Sequence, residues 1–457
     1  MKRTLAEFAR ACGGKLEGAD REYTVVSTDT RTIQAGELFV ALQGPRFNAN
    51  DFVTAAHKAN AAAAVVDTKQ NVPITQIVVP DTLAALSAAS KKWRDQFQIP
   101  VVGVAGSNGK TTVKEMIASI LSQAGNTLAT RGNLNNHIGV PLTLFRFAPE
   151  NRFAVVEIGT NHAGEVADLV KIATPGIGII TNAGAEHLEG FGSIEGVARA
   201  EGEMVEGLAP AGTAIINADD EFADLWRGLT RAKIVTFGVD KKADFSAQNV
   251  RNEIGPNGFL TRFKLVSPLG QADIDLQLAG KHNIVNALGA AAAASAAGAT
   301  LANIVAGLAA VRAVKGRLQF KVARNGAWII DDSYNANPSS VKAGIDVLAG
   351  LEGRKWLVIG DMAELGDFAE SSHAEIGTYA RERGVERMFA TGSLTGLSVE
   401  KFGNGGQWFT DTQALAKALD EAGAPDVRML IKGSRVNRLE RVIEALVAGA
   451  SHAGKTG

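Results

Sequence analysis

Apolar residues in this chain gather into short continuous runs, each followed by a turn rich in glycine or asparagine and then by an amphipathic stretch. From residue 99 the order is "IPVVGVA", a Gly-rich loop, the helical "TTVKEMIASILSQAG", and then the runs "FAVVEIG", "GIGIITN", "TAIINAD" and "AKIVTFG". Such alternation of strand and helix predicts a mostly parallel sheet covered by helices on both faces. Residues 1–98 mix the short runs "ELFVAL", "AAAVV" and "ITQIVV" with a helical segment over 81–98, which predicts a small α/β unit. Residues 244–278 alternate polar and apolar positions between Gly and Pro turns and are expected to form an antiparallel edge. After "VKGRLQF", the runs "AWIIDD", "KWLVIG", "ERMFAT" and "VRMLIK" predict a second doubly wound sheet. The expected architecture is therefore α/β in three domains, 1–98, 99–313 and 314–457.

Charge removes several function classes. The 47 Lys and Arg residues nearly cancel the 48 Asp and Glu, so no global field favours nucleic acid or an anionic membrane, and small-molecule chemistry is expected. The single cysteine, Cys12, excludes an intramolecular disulfide framework and a Cys-rich metal cluster, in keeping with a cytoplasmic enzyme. The long low-polarity run "NALGAAAAASAAGATLANIVAGLAAV" is mostly alanine, broken by glycines and by Thr300 and Asn303. It predicts two packed helices and no membrane insertion.

The chemistry is most legible in "GVAGSNGKTT". Gly106 and Gly109 let the backbone curl so that the N–H groups of Ser107, Asn108 and their neighbours face one anion, with the start of the helix near Thr111 and Thr112 behind them. Lys110 would neutralise β- and γ-phosphates and the Thr111 hydroxyl would ligate Mg²⁺. Val104 stands where the strict Walker A spacing needs glycine, so an ordinary glycine turn is the alternative. No N-K-x-D follows a later strand, which argues against a guanine-nucleotide switch. Glu157 ends a buried strand and either approaches Mg²⁺ or caps the next helix. His187, after the following strand, is equally a ligand or a hydrogen-bonded structural residue.

"GSNGKTT", "RGNLNNHIGVPLTL", "EIGTNHAGE", "HLEGFGS", "GKHNIVNAL", "KGR", "DDSYNANPSS", "GDMAELG" and "KGSR" occur in an order that resembles the Mur ligase family, in its MurF branch, over essentially the whole chain. The resemblance implies an N-terminal domain for a uridine nucleotide, a central P-loop ATPase and a C-terminal Rossmann-like domain that closes over the site. It implies ATP and two Mg²⁺ ions, with UDP-N-acetylmuramoyl-tripeptide and D-alanyl-D-alanine as substrates joined by a monomer through an acyl phosphate. Carried over residue by residue, it points to Ser27, Thr28, Asp29 and Arg31 for the UDP substrate and Asn133 and Asn136 for other substrate contacts. Glu157 and His187 would attend magnesium, Asn283 and Asn286 the adenine, Arg317 the γ-phosphate, and Asp332 the ribose or phosphate region. Tyr334, Asn335 and Asn337 would face the nucleotide and acceptor, with Lys432 and Arg435 suited to the dipeptide carboxylate.

Two stretches depart from the family pattern. "FNANDF" replaces a sequence resembling F-D-G-H-D-F, so Asn48 to Asn50 are either uracil contacts or a polar turn. "ARAEGEM" places Glu201 where the family usually carries a lysine that becomes carbamylated. Glu201 is expected to be a fixed anion near Mg²⁺, the alternative being an exposed helical glutamate beside Glu203. Other superfamily amide ligases, folylpolyglutamate synthase among them, and a nucleotide-gated binding module remain alternatives at this stage.

Overall fold

The computed structural model describes residues 3–44, 47–186, 188–255 and 258–447. The first sheet runs, in spatial order, Lys15–Glu17, Gln76–Val78, Ala63–Val66, Leu38–Val40 and Val26–Ser27, with only the Lys15–Glu17 pairing antiparallel. The central sheet is wholly parallel, in the order Lys233–Phe237, Thr213–Asn217, Ile177–Ile180, Val101–Ala105, Phe153–Glu157 and Thr127–Ala129. Chain order reverses at Val101–Ala105, the topological switch point where ligands collect at strand C-termini.

Residues 246–276 are antiparallel, as expected, but make a separate three-stranded sheet instead of an edge of the central one. Its inward residues Phe263, Leu265, Ile274 and Leu276 pack into the cluster that covers one face of the central sheet. The alanine-rich run forms two helices, Lys281–Ala296 and Leu301–Ala310, and the first packs against the helix that follows the phosphate loop. No helix among the described residues is long and apolar enough to cross a membrane.

The C-terminal sheet runs Gln319–Val322, Trp328–Asp332, Val427–Lys432, Arg354–Gly360, Arg387–Thr391 and Gly406–Phe409. Its first strand is antiparallel and the rest parallel. Two apolar clusters cover its faces. A single cluster, in contrast, joins the N-terminal unit to the central one, running from Leu5, Phe8 and Trp93 through Phe145 and Phe147 to Val156.

Candidate active site

Strand Val101–Ala105 leads into the loop and helix Lys110–Ser122 carries it away. Gly106 has φ 121° and a Cβ there would meet Thr181 Oγ1 and lie 2.8 Å from Thr181 N; Gly109 has φ 83° and a Cβ would lie 2.6 Å from Asn286 Oδ1. No side chain fits either position without displacing the backbone or a neighbour. The loop is tied to the end of strand Ile177–Ile180: Ser107 N donates to Asn182 O at 2.8 Å, Asn108 N to Asn182 Oδ1 at 3.0 Å, and Thr181 Oγ1 to Asn108 O at 2.7 Å. Val104 is fully buried within the strand, so the turn begins only after it.

Lys110 Nζ donates to the carbonyls of Gly106 and Ser107 and to Glu186 Oε1 at 3.2 Å. Burial by itself would depress its pKa, but Glu186, Glu201 and Glu157 outweigh it and hold the ammonium above its usual range. Thr111 Oγ1 donates to Glu157 Oε1 at 3.2 Å, and Asn135 Nδ2 donates to the same oxygen at 2.9 Å. Glu157 Oε2 is buried without a hydrogen-bond partner, although the buried ammonium of Lys114 stands 4.0 Å from it. At that distance Lys114 offsets the charge without a hydrogen bond, which leaves the oxygen's lone pairs open to a closer donor or a metal ion.

Arg317 Nη2 reaches Thr111 Oγ1 at 3.3 Å from the C-terminal side, and its guanidinium lies 4.6 Å from the centre of the Tyr334 ring. Its Nε is also buried and unpartnered. Arg435 approaches the same ring at 5.4 Å. Lys432 is not a free cation here: Nζ donates to Asp332 Oδ2 at 2.6 Å and to Asn335 O at 2.9 Å, because the two residues are neighbours across parallel strands. A cavity of about 530 Å³ gathers Ser107 to Thr112, Asn133, Glu157, Asn283, Asn286, Arg317, Asp332, Tyr334, Asn335, Asn337 and Lys432.

Other expected residues stand elsewhere. Asn136 is spent on the chain itself, its Oδ1 accepting from Ile138 N and Gly139 N at the start of a helix. Asn135, which sequence reasoning passed over in "NLNN", is the one that reaches Glu157; only the path of the turn separates the two. Asn182, Glu186 and Ser339 were likewise missed, since nothing in "TNAGAE" or "NPSS" announces a partner so far along the chain. Ser27, Thr28, Asp29 and Arg31 lie outside that cavity's lining. Arg31 pairs with Asp29 at 2.6 Å and holds its carboxyl down to about 2. Asn48 Oδ1 accepts from Asn50 N at 3.0 Å, and Asn50 is buried against Asp67, so this stretch is a capped polar turn.

Glu201 is not an exposed helical glutamate. It is 1% exposed, Oε2 accepts from Gly106 N at 2.7 Å, and Oε1 is buried without a partner. Burial lifts its carboxyl to about 7, against the opposing pull of Lys110. Glu203 caps the helix Glu165–Ala173 instead, accepting from Gly164 N and Ala167 N. His187 lies outside the described residues. Among the described residues no three His, Cys, Asp or Glu side chains converge as a metal centre. The chemistry of Glu157 and Thr111 nevertheless suits one Mg²⁺, which takes one or two protein oxygens and fills its remaining positions from phosphate and water.

Residues 22–102 match the Mur ligase family catalytic domain, 104–294 the Mur ligase middle domain and 316–435 the Mur ligase glutamate ligase domain. The UDP-N-acetylmuramoyl-tripeptide--D-alanyl-D-alanine ligase of Escherichia coli (strain K12) is 43% identical over 97% of this chain and 98% of its own. The chain belongs to the Mur ligase family. Its likeness is to the MurF type: the Bacillus subtilis (strain 168) ligase of the same name is 34% identical over 98% of this chain and 99% of its own. The crystal structure of MurF from Acinetobacter baumannii superposes with a TM-score of 0.91 at 33% identity, covering 98% of this chain and 99% of that one. MurF ligase from Thermotoga maritima, solved in complex with ADP, gives 0.81 at 26% identity over 92% and 96%.

Proposed function

We propose that this Mur ligase joins D-alanyl-D-alanine to UDP-N-acetylmuramoyl-tripeptide at the expense of ATP, giving the UDP-linked pentapeptide precursor of peptidoglycan. The observation that carries the reading is the convergence of Lys110, Thr111, Glu157 and Arg317 on one cavity, within a chain alike end to end to ligases of that name.

A carboxylate has no good leaving group; phosphorylation of the tripeptide's terminal carboxylate by ATP supplies one, and attack by the dipeptide amine on the acyl phosphate releases phosphate. In this reading the N–H groups of Ser107 to Thr111 hold the phosphate chain, and Lys110 leaves Glu186 to neutralise it. Mg²⁺, held by Thr111 and the unpartnered oxygen of Glu157, would offset charge on the transferred group. Arg317 brings a second cation from the opposite wall, fixed in direction by the Tyr334 ring. Asn283 and Asn286 line the adenine end, their carboxamides joined at 3.2 Å. Arg435 lies beside Tyr334, within reach of the acceptor's carboxylate, and Lys432 orders Asp332 and Asn335. The UDP moiety lies toward Ser27 to Arg31. Closure of the C-terminal wall excludes water from the acyl phosphate.

Glu201 stands at the base of the loop in the place of a carbamylated lysine and would serve as the anion once a bound cation draws off the proton that burial favours, and turnover should need no bicarbonate. The reading takes the enzyme as a cytoplasmic monomer. The test is phosphate release with each substrate omitted in turn: it should require both the UDP-tripeptide and D-alanyl-D-alanine, and Lys110→Ala should lower it by about 10³-fold. Hydrolysis indifferent to the dipeptide, or undiminished in Lys110→Ala, would overturn the assignment.

A further inference from the structure

The phosphate loop touches the C-terminal domain through a closed ring of hydrogen bonds. Asn108 Nδ2 donates to Ser339 Oγ at 3.0 Å, Ser339 Oγ donates to Asn337 Oδ1 at 3.0 Å, and Asn337 Nδ2 donates back to Asn108 Oδ1 at 2.9 Å. Each group both gives and receives. Turning the Asn108 carboxamide over would set its NH₂ against that of Asn337, so the ring fixes the orientation of all three.

Both ends of the ring are anchored. Asn337 Oδ1 also accepts from Ser340 N at 2.9 Å, capping the helix Pro338–Ala349. Asn108 is held by its own peptide group to Thr181 and Asn182, at the end of a central strand. It sits between Gly106 and Gly109, the two residues whose positive φ lets the loop curl, so a pull on its side chain acts directly on the amides that face the anion. Elsewhere the C-terminal domain has apolar clusters of its own, with Phe259 of the antiparallel sheet packed against one of them.

We propose that Asn108, Asn337 and Ser339 form a closure latch: positioning residues through which seating of the C-terminal domain fixes the phosphate loop. Nucleotide affinity and domain closure then rise and fall together. The inference rests on the proposed nucleotide reading of the loop. Because the ring spans the two domains, separating them breaks it; whatever favours seating of the C-terminal domain then favours the ordered loop, and a nucleotide that orders the loop must favour that seating by the same factor.

The experiment pairs calorimetric titration of the full-length protein with a non-hydrolysable ATP analogue and small-angle scattering with and without it. Ser339 is solvent-exposed, so Ser339→Ala leaves the core untouched. Ser339→Ala and Asn108→Ala should each weaken analogue binding about five- to tenfold, within the usual span of coupling between sites. The double variant should be no weaker than either single one, because breaking any member opens the ring. Both single variants should show a larger radius of gyration without nucleotide, and Ser339→Thr, which keeps the hydroxyl, should match the unsubstituted protein. In turnover by Ser339→Ala, KM for ATP should rise while kcat at saturating ATP stays within about twofold. Additive losses in the double variant, or unchanged scattering in Ser339→Ala, would overturn the latch. Failure of the unsubstituted protein to bind the analogue would instead sink the nucleotide reading, with the nucleotide-free scattering still deciding whether the ring holds the domains together.

Discussion

The central domain meets its two neighbours in opposite ways. Toward the N-terminal unit the contact is aromatic and buried: Phe8 stacks on Phe145 at 6.0 Å and Phe97 meets Phe147 at 5.8 Å. Trp93 Nε1 donates to Phe147 O at 3.1 Å, and Arg94 Nε to Ala173 O at 3.0 Å. Toward the C-terminal domain the site-facing contacts are polar, from Asn108, Thr111, Arg317, Asn337 and Ser339. Separating aromatic surface costs its whole hydrophobic transfer energy, whereas water can replace most of a polar contact. The N-terminal boundary is therefore permanent, whereas the C-terminal one can open at the site, its aromatic contact of Phe259 with Phe320 at 6.2 Å lying away from the cavity. The linker agrees: Gly316 and Leu318, at the start of the C-terminal domain, have φ of 72° and 48°, a bend that a non-glycine residue adopts only under constraint from its surroundings.

The comparison can be broken or sharpened by experiment. Arg317→Ala, on the opening side, should reduce turnover by about 10³-fold, near 4 kcal/mol of transition-state stabilisation, with a melting temperature close to that of the parent. A matching collapse of stability would mean that this boundary is structural too. Trp93→Ala, on the permanent side, should cost about 3–5 kcal/mol in denaturant unfolding; a loss below 1 kcal/mol would remove the distinction.

Glu201, below the loop, offers a pH test. Its carboxyl is lifted from 4.5 to about 7 by burial, so between those values the folded protein keeps a proton that the unfolded chain has released. The associated stability is complete below pH 4.5 and is lost as pH rises through 7. Glu201→Gln carries no titrating group and should lack this loss, worth roughly 3 kcal/mol by pH 8. Melting curves of nucleotide-free protein from pH 4.5 to 8 check it, and parallel profiles for the two proteins would refute it. Smallest of all, Asn48→Ala should cost about 1 kcal/mol through the lost cap, and KM for the UDP substrate should not move if Asn48 only shapes a turn.

Much of the frame was legible in the sequence. Most of the long apolar runs became inner strands of the two doubly wound sheets, because a strand buried on two faces must be apolar throughout, while "AKIVTFG" forms the edge strand Lys233–Phe237. Thr127–Ala129, Gln319–Val322 and Gly406–Phe409 escaped notice, being edge strands of three or four residues with little apolar signal. At the site, Lys110, Thr111 and Glu157 could be picked out because each follows directly from a strand or loop end. Glu201 could not be placed from its helix alone: its burial depends on the Gly106 N–H, 95 residues away in sequence. Lys432 and Asp332 read as separate ligands until cross-strand register made them partners.

Val104 has a consequence for how such chains are recognised. It stands in register between Glu157 on one side and Ile179 on the other, with its side chain in the apolar cluster that covers one face of the sheet, so the strand runs on past the point where the pattern expects a turn. A glycine there would satisfy a pattern search and leave a hole in that cluster, where Val104 is fully buried. Sequence filters that insist on it sort proteins by where a strand stops, and overlook enzymes that place the same cradle two residues later.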